Sequence, residues 1–364
     1  MNPSLRTLHI SSNWHILQID DDDDELEEFL RSLPRRCSAL RSLLLGGTIP
    51  QVSLEHLSNL QQLTCLNLSY VYRVPSPFNS TTATALSTLP SLTDLRIPDV
   101  FIEYLGDLIS TDGFLTLESL HIKGGDPPGI ARTLRCISSP VLHEVYLWDV
   151  NRATGRDPVE HLWAFLKFSE SLTKLQWCAE EWKDGFEESD FTCVGIELLE
   201  PLLVLKNLEN LEVLSDSLAD CPDSTISCED SRRIAQAWPN MKNLSLYSSL
   251  FPFTLRSLIT SVDNLETLET LSIEEVHNDN LAPSSDRLVM FQDACESHGP
   301  CNTKYLSELL IANIQDRWSD CDDLFLAVYL HTVFPNVCDI TCSERPTVSK
   351  LISIRRSGSP VDDI

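Results

Sequence analysis

The chain has 364 residues, 42% of them hydrophobic, and carries 54 acidic against 27 basic side chains for a formal charge of -27. That balance excludes a general nucleic-acid backbone binder, which needs Lys and Arg to neutralise phosphates, and it favours basic or mixed-charge partners. No apolar run approaches the roughly 20 residues that span a bilayer, and the start MNPSLRTLHI has no long apolar core of a secretory signal. The expectation is therefore a cytoplasmic or nuclear protein without membrane contact.

A six-residue pattern, apolar-x-x-apolar-x-apolar, recurs along the chain. It begins at Leu5 (LRTLHI), Leu40 (LRSLLL), Leu63 (LTCLNL), Leu92 (LTDLRI), Leu117 (LESLHI) and Leu142 (LHEVYL). It returns at Leu172 (LTKLQW), Leu208 (LENLEV), Met241 (MKNLSL), Leu268 (LETLSI), Leu306 (LSELLI) and Val337 (VCDITC). In a strand successive side chains alternate between faces, so Leu92, Leu95 and Ile97 of LTDLRI are predicted to point into a core while Asp94 and Arg96 point out. One such unit cannot bury its apolar side alone, and neighbours must stack on it.

The gaps between hexamers, 23 to 38 residues from start to start, carry helical periodicity in LEHLSNLQQL, VEHLWAFLKFSESL and SRRIAQAWPN. Prolines in TLPSL (88–92), AWPNM (237–241) and VFPNV (333–337) stop each helix and turn the chain into the next strand. The fold class follows: an α/β leucine-rich-repeat solenoid over residues 1–342, about twelve irregular repeats with a curved parallel sheet inside and helices outside. Residues 343–364 read as a C-terminal cap and flexible tail. The strand at 5–10 is expected to open the array with an unpaired edge. Polar segments at 178–193, 215–230 and 276–303 read as surface insertions.

Little in the chain suggests chemistry. The run Asp20-Asp21-Asp22-Asp23-Asp24-Glu25 lacks the turn glycine of a calcium loop and suits the positive end of a following helix dipole. Cys295, His298 and Cys301 are close in sequence, but proximity is not a triad, and they fall in an insertion. Gly124 and Gly125 follow a strand without the lysine of a phosphate-binding loop. The twelve cysteines are scattered with no CxxC pair and read as reduced, structural thiols. Sequons at Asn67, Asn79 and Asn243 are read as chance matches. The chain is expected to be no enzyme, with no cofactor and no metal.

The remaining candidate is the concave sheet face. Outward positions of the fourth to seventh hexamers gather Arg96, His121, Lys123, Tyr146, Trp148, Lys174 and Gln176, the residue types that anchor protein interfaces. Trp148 beside Lys174 is an expected cation–π pair.

Hexamers preceded by LP or WP turns, helical gaps and an irregular period resemble the repeat region of fungal F-box/leucine-rich-repeat proteins, of the ribonuclease-inhibitor-like class. The resemblance covers nearly the whole chain. It implies repeats that present a substrate to a cullin ubiquitin ligase, while an F-box docks on a Skp1-type adaptor. With the first hexamer at Leu5, no F-box is expected ahead of the repeats, which would leave that adaptor without its docking segment. The expected function is thus a protein-interaction module resembling the substrate-recognition half of such a receptor. The alternative is a truncated or orphan repeat scaffold that self-associates or binds other proteins with no ligase role.

Overall fold

The structure, a computed structural model, describes residues 4–11, 23–47, 54–71, 80–98, 113–125, 127–150, 160–179, 195–215, 225–248, 250–277, 305–315, 327–328, 330–343 and 346–357. The chain divides into two compact units, Met1–Glu180 and Glu181–Ile364.

In the first unit the hexamers form seven strands: β1 (Thr7–Ser11), β2 (Ser42–Gly47), β3 (Cys65–Val71), β4 (Asp94–Pro98), β5 (Ser119–Lys123), β6 (Glu144–Val150) and β7 (Lys174–Ala179). They lie side by side in sequence order and every pair is parallel. Parallel neighbours require a return crossover, and helices supply it. These are α1 (Asp23–Arg36), α2 (Ser80–Ser87), α3 (Pro127–Cys136) and α4 (Glu160–Trp163), with tighter 3-10 turns at Leu54–Asn59 and Ala164–Phe168. The turn at Leu54–Asn59 packs on α1 and on α2, and α3 packs on α4.

The second unit repeats the plan. β8 (Asn210–Ser215), β9 (Asn243–Ser248), β11 (Thr270–His277), β12 (Glu308–Gln315) and β13 (Asp339–Cys342) pair in that order, all parallel, and the short β10 (Phe253–Thr254) adds to β11. Its helices include α5 (Ile196–Leu199), α6 (Cys228–Ala237), α7 (Leu255–Asn264) and α8 (Pro346–Ser357). Capping boxes open α6, where Ser227 and Asp230 exchange hydrogen bonds, and α7, where Thr254 and Ser257 do so. Each box satisfies backbone N–H groups that the first helical turn leaves without partners.

The hexamer phase is the core phase. Its first, fourth and sixth residues are buried in all eleven repeats from Leu40 onward. Fourth residues stand in register from strand to strand, Leu43↔Leu66↔Leu95↔Leu120↔Val145↔Leu175 in the first unit and Leu211↔Leu244↔Leu271↔Leu309↔Ile340 in the second. The second residue's carbonyl accepts N–H bonds from the second and third residues of the following repeat. Arg41 and Ser42 donate to Arg6, Thr93 and Asp94 to Thr64, and Lys242 and Asn243 to Glu209. Aligned stacking thus leaves the strand starts with satisfied donors. The prolines act as expected: AWPN ends α6, and the buried Trp238 Nε1 donates to the Leu202 carbonyl of the preceding repeat at 3.1 Å.

The exception is β1. Leu5, Leu8 and Ile10 are only half-buried, because β1 pairs with β2 and with no other described strand. At the other end, Val348 and Ile352 of α8 are buried and α8 packs on β13. Most of the three insertions, with Cys295, His298 and Cys301, lie outside the described residues. Of the acidic run, Asp20–Asp22 lie outside them, and Asp23 begins α1. No described helix is long and apolar enough to cross a membrane.

Candidate functional site

Strand register sorts the outward side chains of β3–β7 into rows. One row aligns Asn67, Arg96, His121, Tyr146 and Gln176; a second aligns Cys65, Asp94, Ser119, Glu144 and Lys174; Lys123 aligns with Trp148 further along the strands. All seven residues singled out in the sequence therefore share the outward face of β4–β7.

Neighbouring rungs are about 4.8 Å apart, close enough for rings in one row to touch. The His121 and Tyr146 rings are stacked, centroids 4.1 Å apart and planes 8° from parallel. Lys174 Nζ sits 5.1 Å from the centre of the Tyr146 ring. The expected Lys174–Trp148 pair does not form, because the register sets Lys174 opposite Glu144 and Trp148 opposite Lys123.

Within each strand, residues two apart share the face, and the rows lock together through such pairs. Arg96 donates through Nε and a terminal nitrogen to the two carboxylate oxygens of Asp94, at 3.2 and 3.0 Å. Ser119 Oγ and His121 Nε2 are 3.2 Å apart, and Tyr146 Oη donates to Glu144 Oε2 at 3.1 Å. Asp94, Ser119 and Glu144 were not singled out as contact residues, although their spacing of two from Arg96, His121 and Tyr146 is legible in the hexamers.

Burial holds the His121 imidazole down to about 4, assisted by Arg96 and Lys174 and opposed by Asp94 and Glu144. His121 is therefore neutral at pH 7 and serves as a flat stacking surface, not as a cation. Burial, with Asp94 beside it, also raises the Cys65 thiol, which keeps it protonated and unreactive. Trp148 is 40% exposed, whereas Gln176 is 9% exposed and its amide approaches Cys178 Sγ at 3.9 Å. The accessible part of the site is thus Arg96, His121, Lys123, Tyr146, Trp148 and Lys174.

Gly124 and Gly125 both have positive φ, and the Gly124 N–H donates to the Trp148 carbonyl at 2.6 Å. The pair ends β5 in a turn that L side chains resist. Among the described residues no group of three His, Cys, Asp or Glu side chains is arranged to hold a metal.

Repeated hexamer strands in parallel register, with helices or 3-10 turns in the described crossovers between most of them, define a leucine-rich-repeat fold. No protein-family model matches the sequence, and no curated protein matches it. Solved structures of similar fold include an internalin from Listeria monocytogenes, at 17% identity and a TM-score of 0.41, over 78% of this chain and 65% of that one. Rad7, in the yeast Rad7–Elc1 complex, is similar at 15% identity and a TM-score of 0.48, over 87% of this chain and 72% of the other. A leucine-rich-repeat protein of Leptospira interrogans is similar at 14% identity and a TM-score of 0.35, with 90% and 73% covered.

Proposed function

We propose that this protein is an interaction module whose partner is another protein, bound on the outward face of β4–β7. The carrying observation is the aligned Arg96–His121–Tyr146 row with Lys174 over the Tyr146 ring. Ring faces and charge-bearing side chains on rigid strands are the anchors that interfaces use. The finer reading is a substrate receptor like those of F-box/leucine-rich-repeat ubiquitin ligases; it rests on the sequence resemblance of the hexamers and their LP and WP turns. Affinity capture from the native lysate tests both levels. The double variant Tyr146→Ala/Trp148→Ala should lose the principal protein partner at least about tenfold, with an unchanged melting profile. Equal capture of every partner by variant and wild type removes the site. Co-capture of a cullin and a Skp1-type adaptor supports the ligase reading, and partners without them reject it.

A second reading, self-association through β1, is favoured by the half-buried Leu5, Leu8 and Ile10 on a strand with one described neighbour. Sedimentation across a concentration series should show dimers that Thr7→Pro abolishes. A strict monomer rejects this reading.

A further inference from the structure

The second hexamer position forms its own row, at the strand starts. In the second unit this row alternates in sign: Lys242 lies between Glu209 and Glu269 in the stacked repeats, and its Nζ meets Glu209 Oε2 at 2.6 Å. In the first unit the row opens Arg6, Arg41, with Arg41 N–H bonded directly to the Arg6 carbonyl at 2.8 Å. Two guanidinium-bearing residues thus occupy adjacent rungs, an arrangement that costs stability. Two more arginines join them. Arg35 and Arg36 end α1, and a tight turn, Leu40 N–H to the Cys37 carbonyl at 3.0 Å, carries the chain from there to Arg41.

All four arginines are exposed, and among the described residues none has a carboxylate partner. Elsewhere Arg96, Arg232, Arg233 and Lys242 each reach one. The sequence agrees: between Glu28 and Glu55 there is no Asp or Glu, in a chain with twice as many acidic as basic residues. The acidic run that opens α1 stands at the opposite end of the helix from Arg35 and Arg36. Twelve residues of helix separate Asp23 from Arg35, roughly 18 Å at the usual rise per residue.

Helix-dipole complementarity accounts for Arg35 and Arg36, but not for Arg6 and Arg41 at the strand starts. Arginine's planar fork of donors matches oxyanions, and clusters of it recognise acidic segments. We propose that Arg6, Arg35, Arg36 and Arg41 form a second docking surface, which binds a short carboxylate-rich segment of a partner protein. The side chains are spread over two rungs and a helix end, which fits a run of carboxylates better than a single anion. The charge of -27 repels a long polyanion, but over a short contact the local charge decides, since the Debye length is about 8 Å in physiological salt.

The test uses the full chain and fluorescein-labelled oligoglutamate, with oligoglutamine and oligothymidylate for comparison, at physiological ionic strength. Saturable binding of oligoglutamate is expected, with oligoglutamine silent and oligothymidylate weaker. Arg35→Gln/Arg36→Gln and Arg6→Gln/Arg41→Gln should each weaken it about tenfold, while Lys242→Gln leaves it unchanged. Arg41→Thr, which installs the residue found at this position in the next rung, should melt no lower than wild type. The proposal is overturned if oligoglutamate does not bind, if the double variants bind it equally well, or if oligothymidylate binds more tightly. A lower melting temperature for Arg41→Thr overturns it too, by making that arginine structural.

Discussion

The strand faces of the two units share a scaffold and differ in most of what they project from it. In both, the fourth hexamer residues stand in register, Leu95↔Leu120 in one and Leu244↔Leu271 in the other, and both sets are buried. Outward, β4–β7 present Arg96, His121, Tyr146, Trp148 and Lys174. The equivalent rows of β8–β13 run Asn210, Asn243, Thr270, Glu308, Asp339 and Glu212, Ser245, Ser272, Leu310, Thr341, and Tyr247, as exposed as Trp148, stands at the matching place on β9. The fold is thus written in three positions of six, and the others are free to carry recognition.

A charge at a core position should erase this difference between units. Leu95→Asp and Leu244→Asp should each destabilise by more than about 4 kcal/mol, because both bury an unpaired carboxylate. Chemical denaturation measures it, and a mild effect in either unit breaks the equivalence of the two cores. Next in size, Leu95→Ala should cost roughly 2–5 kcal/mol through lost burial and a cavity. Leu8→Ala, on the half-buried β1, should cost on the order of 1 kcal/mol. Equal losses at both sites would mean that β1 is covered as fully as the inner strands.

The last expected effect concerns pH. The His121 imidazole is lowered from 6.5 to about 4 in the folded chain, so between those values the unfolded state binds the extra proton. His121 therefore contributes stability above about pH 6.5 that is lost as pH falls toward 4. The ring proton resonances of His121 should titrate with a midpoint near 4, and His121→Gln should flatten the stability curve between the two values. A midpoint near 6.5 would show the ring to be exposed and the Tyr146 stack broken.

Hexamer spacing made the core, the strand phase and the half-covered first strand legible, since burial with a period set by strand geometry leaves its trace in residue type. Partner choice across strands was less so. Lys174 was expected on Trp148 and sits on Tyr146, because a side chain's neighbour depends on register, which no single hexamer encodes. Gln176 was counted among the contacts and is nearly buried, as accessibility depends on surrounding residues such as Cys178. The gap LEHLSNLQQL has helical periodicity, yet Leu54–Asn59 is a 3-10 turn. Spacing of three and four does not discriminate the two windings over so short a stretch. β10 was not anticipated at all, being two residues long and outside any hexamer.

The pairs two residues apart have a thermodynamic consequence. Arg96 is forked onto Asp94, and Tyr146 is held by Glu144 while stacked on His121. Immobilising a long side chain at an interface costs about 0.5–1.5 kcal/mol in rotamer entropy, and here much of that loss is already taken on folding. A partner meets a preorganised surface, so more of its contact energy appears as affinity. Removing a tether, as in Glu144→Ala or Asp94→Ala, should then weaken binding while the Tyr146 ring and the Arg96 guanidinium stay intact.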